Sequence, residues 1–290
     1  MAGKSTQRKP CTEAEFSARL QTYTKRSGLL SLSFFLAVLL TALFWILTKD
    51  SRVALTFFFF AAFAIALGLN RVDKQKKALI QAQLGHRFDD VYRAVFGPED
   101  GSPLPPIGET VLRHLDPAPY VGEWNTCEIE NAHRGVRHNI PFSAANVTLS
   151  YAYAESHRPD NTASSPQRQF RGLWILLALP ENTGNPEPVT LTRRSPDKIT
   201  PTELRADRDG RIITPALRDA VSEIERCIGG TLAALHRDGP TLSLAVETGF
   251  LFAAIPVVTT RHTTDALLEE YRASLATMER AIDLLRALPL

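Results

Sequence analysis

The stretch that decides the fold runs from Leu29 to Leu47 and reads LLSLSFFLAVLLTALFWIL. It contains no charge and no proline, and as a helix rising about 1.5 Å per residue it would extend about 28 Å. That length suits the roughly 30 Å hydrocarbon core of a bilayer. A second uncharged run, VALTFFFFAAFAIALGL, follows from Val53 to Leu69 after a connection of five residues. The pattern predicts an antiparallel transmembrane hairpin over residues 29–69, with spans at 29–47 and 53–69.

Two other interpretations of the same residues are weaker. A helical hairpin buried in a soluble core would rarely carry two uncharged runs in succession. A cleaved signal peptide would have a shorter apolar run and no second span immediately behind it.

Basic residues flank the hairpin on its outer sides and predict its orientation. The short connection holds Lys49 and Arg52, partly offset by Asp50. Because cytoplasmic flanks carry the excess of Lys and Arg, both termini are expected in the cytoplasm. The flanking basic residues are Lys4, Arg8, Lys9, Arg19, Lys25, Arg26, Arg71, Lys74, Lys76 and Lys77.

The polar side chains within the two spans are hydroxyls only, namely Ser31, Ser33, Thr41 and Thr56. Transporters and proton relays usually need ionisable groups at membrane depth, so the hairpin is interpreted as an anchor. A pore formed by several hairpins stays open as an alternative.

The segments next to the hairpin are also predicted to be helical. Residues 1–28 form a cytoplasmic N-terminal segment, in which T-E-A-E at Thr12–Glu15 predicts a capping box. The apolar Phe16, Leu20 and Tyr23 lie on one side, so the segment either rests on the membrane surface or is a solvated linker helix. Residues 70–98 predict a juxtamembrane helix that ends at Gly97-Pro98. Its apolar face comprises Ile80, Leu84, Phe88, Val91 and Val95.

Residues 99–262 predict a soluble α+β domain with a mainly antiparallel sheet and packed helices. Strands are expected within Val136–Tyr153, at Phe170–Leu179 in a central position and at Pro188–Arg193. A loop near 155–169 is expected to be disordered. Thr214-Pro215 predicts the start of a helix that Gly229-Gly230 ends. An antiparallel meander follows over Thr231–His236, Thr241–Val246 and Phe250–Ile255.

A C-terminal helix with a heptad pattern is predicted within residues 263–290. Its apolar residues step by three and four, as in a coiled-coil seam. The seam could mediate self-association or pack on the Ile80–Val95 face of the same chain, and the second is favoured because that face is available. The seam residues are Leu268, Tyr271, Leu275, Met278, Ile282 and Leu285.

The order of these elements resembles a bacterial membrane-protein family known as domain of unknown function 3137. The likeness covers roughly residues 20–258 and lies in three stretches: Gly135-Val136 leading to Phe142 and Val147, Phe170-Arg171-Gly172-Leu173, and Ile213–Leu217 with the strand Phe250–Pro256. The resemblance implies a membrane hairpin joined to such a domain in the bacterial inner membrane. It implies no activity and no catalytic residues.

Composition and motifs restrict the possible functions. The net charge of +2 over 290 residues gives no case for nucleic-acid binding. Three scattered cysteines, Cys11, Cys127 and Cys227, do not form a disulfide framework and suit a reducing compartment. No Walker loop, dinucleotide fingerprint or nucleophile elbow is present, so no cofactor is predicted.

Four sets of residues could form sites, although each set also has a simpler structural interpretation. Cys127, His133 and His138 could bind zinc but lack a fourth ligand at matched spacing, so a buried thiol and surface imidazoles are favoured. Glu128, Glu130 and His133 could form an acid–base cluster or a solvated surface.

The other two sets are an arginine-rich stretch and a glycosylation sequon. The stretch could face anionic lipid, but interleaved Glu203, Asp207 and Asp209 favour a solvated loop. Asn146-Val147-Thr148 matches the sequon, but a cytoplasmic strand would not be modified. The arginines are Arg193, Arg194, Arg205, Arg208 and Arg211.

The sequence therefore favours a membrane-anchored cytoplasmic interaction module that binds a protein partner or the membrane surface. An enzyme of unrecognised type, with its site in the α+β domain, is the alternative. No catalytic, cofactor-binding or metal residue is assigned.

Overall fold

A computed structural model describes residues 12–49, 51–98, 102–152, 166–180, 188–193, 204–206, 213–249, 252 and 262–288. These residues form an α+β fold with six helices and a seven-stranded antiparallel sheet. The chain divides into two compact units, one of residues 1–90 and 255–272 and the other of residues 91–254 and 273–290.

The first unit is helical. Helix α1 runs from Glu13 to Thr48 and helix α2 from Ser51 to Phe96, so each predicted span continues without a break into its flanking segment. The predicted capping box is confirmed at Thr12, whose hydroxyl accepts from the amide of Glu15 while the Glu15 carboxylate accepts from the Thr12 amide. Lys49 ends α1 in the left-handed conformation, which leaves a connection of two residues before α2.

The end of this unit away from the α1–α2 connection has a protein core. Phe16 and Leu20 of α1 are fully buried, as are Ile80 and Leu84 of α2. The sequence pattern predicts that the apolar side of the N-terminal segment rests on the membrane surface or that the segment is a solvated linker helix. Both expectations are wrong for Phe16 and Leu20. They are covered by neighbouring protein, because an apolar helix face is more stable against other apolar side chains than in water.

The C-terminal helix α6, Thr264–Arg286, begins in this unit. Its Tyr271 ring packs on Phe88 of α2 at 4.7 Å between centroids. All six heptad residues are buried within the single chain. The favoured packing of this helix within the chain is confirmed at Phe88 and Tyr271, whereas self-association through the seam stays a prediction.

The buried stripe of α2 differs from the predicted one near its end. Residues Tyr92 and Phe96 are buried, whereas Val91 and Val95 are only half-buried. Residues four apart are separated by slightly more than one helical turn, so a stripe built from such steps shifts gradually around the helix. In the second unit the Tyr92 hydroxyl donates to the carbonyl of Arg134, and the Phe96 ring packs against Phe142.

The second unit is built on the sheet, in the strand order β1-β2-β3-β7-β6-β4-β5 with all pairs antiparallel. The strands are β1 Thr126–Arg137, β2 Ile140–Tyr151, β3 Gln167–Ala178, β4 Val189–Thr192, β5 Arg205–Ala206, β6 Gly230–Asp238 and β7 Thr241–Thr248. The shorter helices are α3 Glu109–Leu115, α4 Ala118–Val121 and α5 Pro215–Ile228.

Several predicted elements are confirmed and some bounds are corrected. Strand β3 is interior and largely buried, as expected. The Thr214 cap and the Gly229 stop of α5 are present. Residues 155–165 of the loop expected near 155–169 lie outside the described residues. The expectation is wrong at the end of the loop, because Gln167 and Arg168 already pair with β2. The strand expected at Phe250–Ile255 lies outside the described residues, except for Phe252.

The β-rich segment predicted over 136–153 is in fact the end of one strand, a turn and a second strand. His138 and Asn139 both have positive φ, of 50° and 61°, which is what a two-residue turn between twisted strands requires. Strand β1 itself was missed, because its half-exposed alternation of small, polar and charged residues gives a weak strand signal.

The two faces of the sheet are covered differently. The helix face carries Phe142, Ile175 and Leu244. Helix α5 packs against β6 and β7, and Leu285 of α6 lies near Ile140 and Leu242, which the register puts on this face. The loop face carries Val147, Trp174 and Ala245, covered by residues of the segment 104–124 such as Ile107 and Leu112. Gly172 permits the strands to meet closely, since a Cβ there would lie 1.9 Å from the carbonyl oxygen of Val246.

Candidate functional site

The helical hairpin presents an extensive surface of exposed apolar side chains. Among the described residues, the exposed large apolar side chains all lie between Leu29 and Leu67, and they include Leu39 at 67% and Phe60 at 72% exposure. Within the apolar windows of α1 and α2 only 6% of residues are buried. The two helices are therefore long and apolar enough to cross a membrane, and their apolar windows are not buried within the described part of the chain.

The inner surface of the hairpin is built from small residues and aromatic contacts. Ala37 and Ala54 are buried, and the Cβ that Gly68 lacks would lie 3.3 Å from the Leu30 side chain. The rings of Phe34 and Phe58 approach to 6.1 Å. Small residues let apolar helices approach closely where there is no water to drive their association.

Three of the four hydroxyl groups in the predicted spans form hydrogen bonds within their own helices. Ser33, Thr41 and Thr56 each donate to the carbonyl four residues earlier, at 2.8, 2.7 and 2.8 Å. A polar group in a hydrocarbon environment must have such an internal partner. These side chains are consequently compatible with lipid.

Exposed basic residues lie where the apolar surface ends. The contact of Gly68 with Leu30 places Arg26 of α1 and Arg71 of α2 close to the same level of the antiparallel pair, with Lys25 and Lys74 just beyond them. Lys49 and Arg52 lie at the opposite end. Lys76 is nearly buried. This burial lowers the pKa of its ammonium, although the nearby carboxylates of Asp73 and Glu270 act to raise that pKa.

The structure separates the residues of the predicted metal set. The strand register pairs Cys127 with Leu149 and His133 with Ala144, which places the thiol on the loop face and His133 on the helix face. His138 lies in the turn after β1. No group of three His, Cys, Asp or Glu residues suited to a metal occurs in the described part of the chain.

Both described thiols are partly buried structural groups. Cys127 packs against the loop-face core, and desolvation with the nearby Glu109 raises its pKa to about 11. Burial likewise raises the pKa of Cys227, whose Sγ lies 3.7 Å from the carbonyl oxygen of Thr277. A high pKa keeps a thiol protonated and poorly nucleophilic.

The predicted acid–base set does not converge in a cavity. Glu128, Glu130 and His133 share the helix face of β1, where a bulge after Glu130 keeps them in phase. Both glutamates are exposed, however, and the His133 ring is stacked on Tyr92 at 4.6 Å. The arrangement is that of a packed histidine beside two solvated carboxylates.

The arginine-rich stretch is only partly described. Arg193 forms an ion pair with Glu225, Nε to Oε1 at 2.8 Å, and that carboxylate also accepts from the amide of Leu232. Arg205 is exposed in β5. Arg194, Arg208 and Arg211 lie outside the described residues. Arg193 thus joins β4 to α5 and does not present a lipid-binding charge.

Asn146 of the predicted sequon is a buried structural residue. Its amide nitrogen donates to the carbonyl of Phe252 at 2.7 Å, and its amide oxygen accepts from the Phe252 amide at 2.8 Å. The paired hydrogen bonds fix the Phe252 backbone against β2. Asn146 is only 3% exposed, so it cannot accept a glycan while the domain is folded.

Sequence reasoning missed a cleft of about 340 Å³ in the second unit, which we name the turn-end cleft. It lies where the β1–β2 turn, the end of β3, the β6–β7 hairpin and the C-terminal end of α6 meet. Its polar lining is His138, Asn139, Arg237 and Arg286. Its apolar lining is Ile140, Leu179, Pro180, Leu242, Leu285 and Leu288. No single segment carries the signal, because the lining comes from four distant parts of the chain.

Comparison with known proteins gives no relative for this chain. No protein-family model matches it, and no curated protein or solved structure matches it either.

Proposed function

We propose that the protein is a membrane-anchored interaction module, with the helical hairpin inserted in a bacterial inner membrane and the α+β unit in the cytoplasm. The supporting observation is the continuous exposure of large apolar side chains between Leu29 and Leu67. Water-soluble monomers rarely expose apolar patches larger than a few hundred Å². Each Leu, Ile, Phe or Val at a helix centre favours insertion by roughly 0.3–0.6 kcal/mol.

The proposed orientation rests on the exposed basic residues near Arg26 and Arg71. More basic residues lie beyond the outer ends of the two spans than in the short connection between them. Because cytoplasmic flanks carry the excess of Lys and Arg, both outer ends are proposed to be cytoplasmic. Membership of the family known as domain of unknown function 3137 is consistent with this organisation and stays a prediction.

Membrane extraction and reporter fusions test the anchor and its orientation. The full chain should stay in the pellet after alkaline carbonate treatment of membranes and should be released by detergent. A reporter active only in the cytoplasm should be active when fused after Leu290, whereas one active only in the periplasm should be active when inserted between Lys49 and Asp50. Release by carbonate would contradict the anchor, and the reverse reporter pattern would contradict the orientation.

The interaction role is supported by the division of the chain into an apolar hairpin and a separate sheet-based unit. Affinity capture of the detergent-solubilised full chain should recover a reproducible protein partner or anionic lipid. A variant lacking residues 29–69 is the matched control for partners that require the membrane. Repeated capture that recovers neither kind of partner would contradict the proposal.

A further inference from the structure

Four exposed basic side chains lie at the end of the exposed apolar surface of the hairpin. They are Lys25 and Arg26 of α1 and Arg71 and Lys74 of α2, and we name them the basic face. We infer that the basic face binds the headgroup of an anionic phospholipid whose acyl chains lie on the neighbouring apolar surface. The inference rests on the proposed insertion of the hairpin and adds the class of lipid that the inserted protein selects.

The residues of the basic face lie at the same depth. The Cβ that Gly68 lacks would lie 3.3 Å from the Leu30 side chain, so these two positions are level in the antiparallel pair. At about 1.5 Å per residue, the two basic residues of α1 lie about 6 and 7.5 Å beyond Leu30, and the two of α2 lie about 4.5 and 9 Å beyond Gly68. The headgroup layer extends about 5–7 Å beyond the hydrocarbon core, so the basic face is level with it.

The four side chains also leave their helices on one side of the pair. Leu30 and Gly68 face each other, and successive residues of an α-helix are about 100° apart. From these two positions, each residue of the basic face projects within about 50° of the same perpendicular to the plane of the pair. The same construction puts Leu20, Val72 and Lys76 on the opposite side, where they are buried. The basic face therefore belongs to the exposed side of the pair.

Described acidic side chains do not balance the charge of the basic face. None of its four residues forms an ion pair with another described residue. Asp73 is the acidic residue closest to them in the sequence, but the helical spacing puts it on the opposite side, where its charge acts on Lys76. The four positive charges are therefore available to a headgroup.

The apolar surface next to the basic face supplies contacts for acyl chains. On the same side of the pair, the helical spacing places large apolar residues of both spans, and all of them are exposed. A phospholipid has its charge and its apolar chains at the depths where this surface has its cations and its apolar residues. This order favours an anionic phospholipid over a soluble anion. The apolar residues are Leu29, Leu36, Phe60, Phe63 and Leu67.

Mass spectrometry of bound lipid tests the inference. The purified full chain is incorporated into nanodiscs that contain equal amounts of phosphatidylglycerol and phosphatidylcholine. After release of the protein, the lipid that stays bound is identified by native mass spectrometry. We expect phosphatidylglycerol to be enriched at least about fivefold, which is the factor that one basic residue contributes near an anionic membrane surface.

A double substitution tests the position of the site. Arg26→Gln combined with Arg71→Gln removes two cations of the basic face and should lower the enrichment to about twofold or less. Arg87→Gln combined with Arg93→Gln is the matched control and should keep the wild-type enrichment. Both control residues are exposed in α2, at least about 24 Å along the helix from Arg71, which exceeds the Debye length of about 10 Å. Circular dichroism confirms that each variant is folded.

Two results would overturn the inference while leaving the anchor intact. One is equal retention of the two lipids by protein that has entered the nanodiscs, and the other is an enrichment that Arg26→Gln with Arg71→Gln leaves unchanged. Two copies of the chain per disc that retain neither lipid would also overturn it, and would assign the face to a second copy. Failure of the chain to enter the nanodiscs would contradict the proposed anchor and the inference with it.

Discussion

Two apolar segments of this chain have opposite environments. The helices over residues 29–69 expose their large side chains, whereas strand β3 buries Leu173, Ile175 and Leu177 almost completely. A helix satisfies its backbone hydrogen bonds internally, so a pair of helices can leave an apolar surface to lipid. A single strand cannot pair its own amides and carbonyls, so β3 needs β2 and β7 on either side as hydrogen-bond partners. The same hydrophobicity therefore leaves an exposed apolar surface in one region and makes a core in the other.

The largest effect is expected from a charge placed in the buried segment. Ile175→Asp would put an unpaired carboxylate on the helix face of an interior strand, and we expect it to cost about 5 kcal/mol or more of unfolding free energy. Denaturant titration of the full chain, followed by tryptophan fluorescence, measures the loss. Ile175→Val is the control and should cost only about 0.5–1.5 kcal/mol. A midpoint for Ile175→Asp equal to that of the control would show that β3 is not a core strand.

The corresponding charge in the hairpin should act on insertion and not on the sheet. Phe60→Asp lies near the middle of the second span, at a side chain that is 72% exposed, and we expect it to disfavour insertion by about 2.5–3.5 kcal/mol. The fraction of protein in carbonate-washed membranes should fall, while Phe60→Leu should behave as the wild type. If the hairpin faced water, the aspartate would leave this distribution unchanged, and that result would break the comparison.

A smaller effect tests how the sheet domain holds the chain beyond β7. Asn146→Ala leaves the backbone of Phe252 without both of its amide partners, so we expect a loss of about 1–3 kcal/mol. Thr148→Ala is the control, because it removes the glycosylation sequon but keeps the Asn146 side chain. Equal destabilisation by the two substitutions would argue that the sequon, and not the pair of hydrogen bonds, is what matters.

The smallest effect concerns the ion pair between Asp283 of α6 and Arg137 at the end of β1. Hydrogen bonding with Arg137 lowers the pKa of Asp283, so its stabilisation is fully present above the unfolded-state pKa of about 3.9 and is lost as the pH falls through the lower folded-state value. Because both side chains are partly exposed, we expect less than about 1 kcal/mol. The difference in unfolding free energy between wild type and Asp283→Asn should be present at pH 6 and shrink as the pH falls below 4. A difference independent of pH would exclude the charge as its origin.

How well the sequence predicted each region depended on how far apart in the chain its interacting residues lie. The hairpin, the Thr12 cap and the helix Pro215–Ile228 depend on residues a few positions apart, so local patterns located them. Strand β1 was missed because its pairing with β2 stabilises a weakly patterned segment. The possible cluster of Cys127 with His133 was resolved only by strand register, which puts them on opposite faces.

By itself the sequence determined that the uncharged runs 29–47 and 53–69 lie in two apolar helices, because helix length and side-chain hydrophobicity are local properties. It also determined the caps of α1 and α5 and the buried seam of α6. Only the tertiary structure decided that Phe16 and Leu20 have a protein partner, that Asn146 holds Phe252, and that His138, Arg237 and Arg286 line one cleft. Those contacts join residues far apart in the chain, and no local pattern specifies which distant side chains will meet.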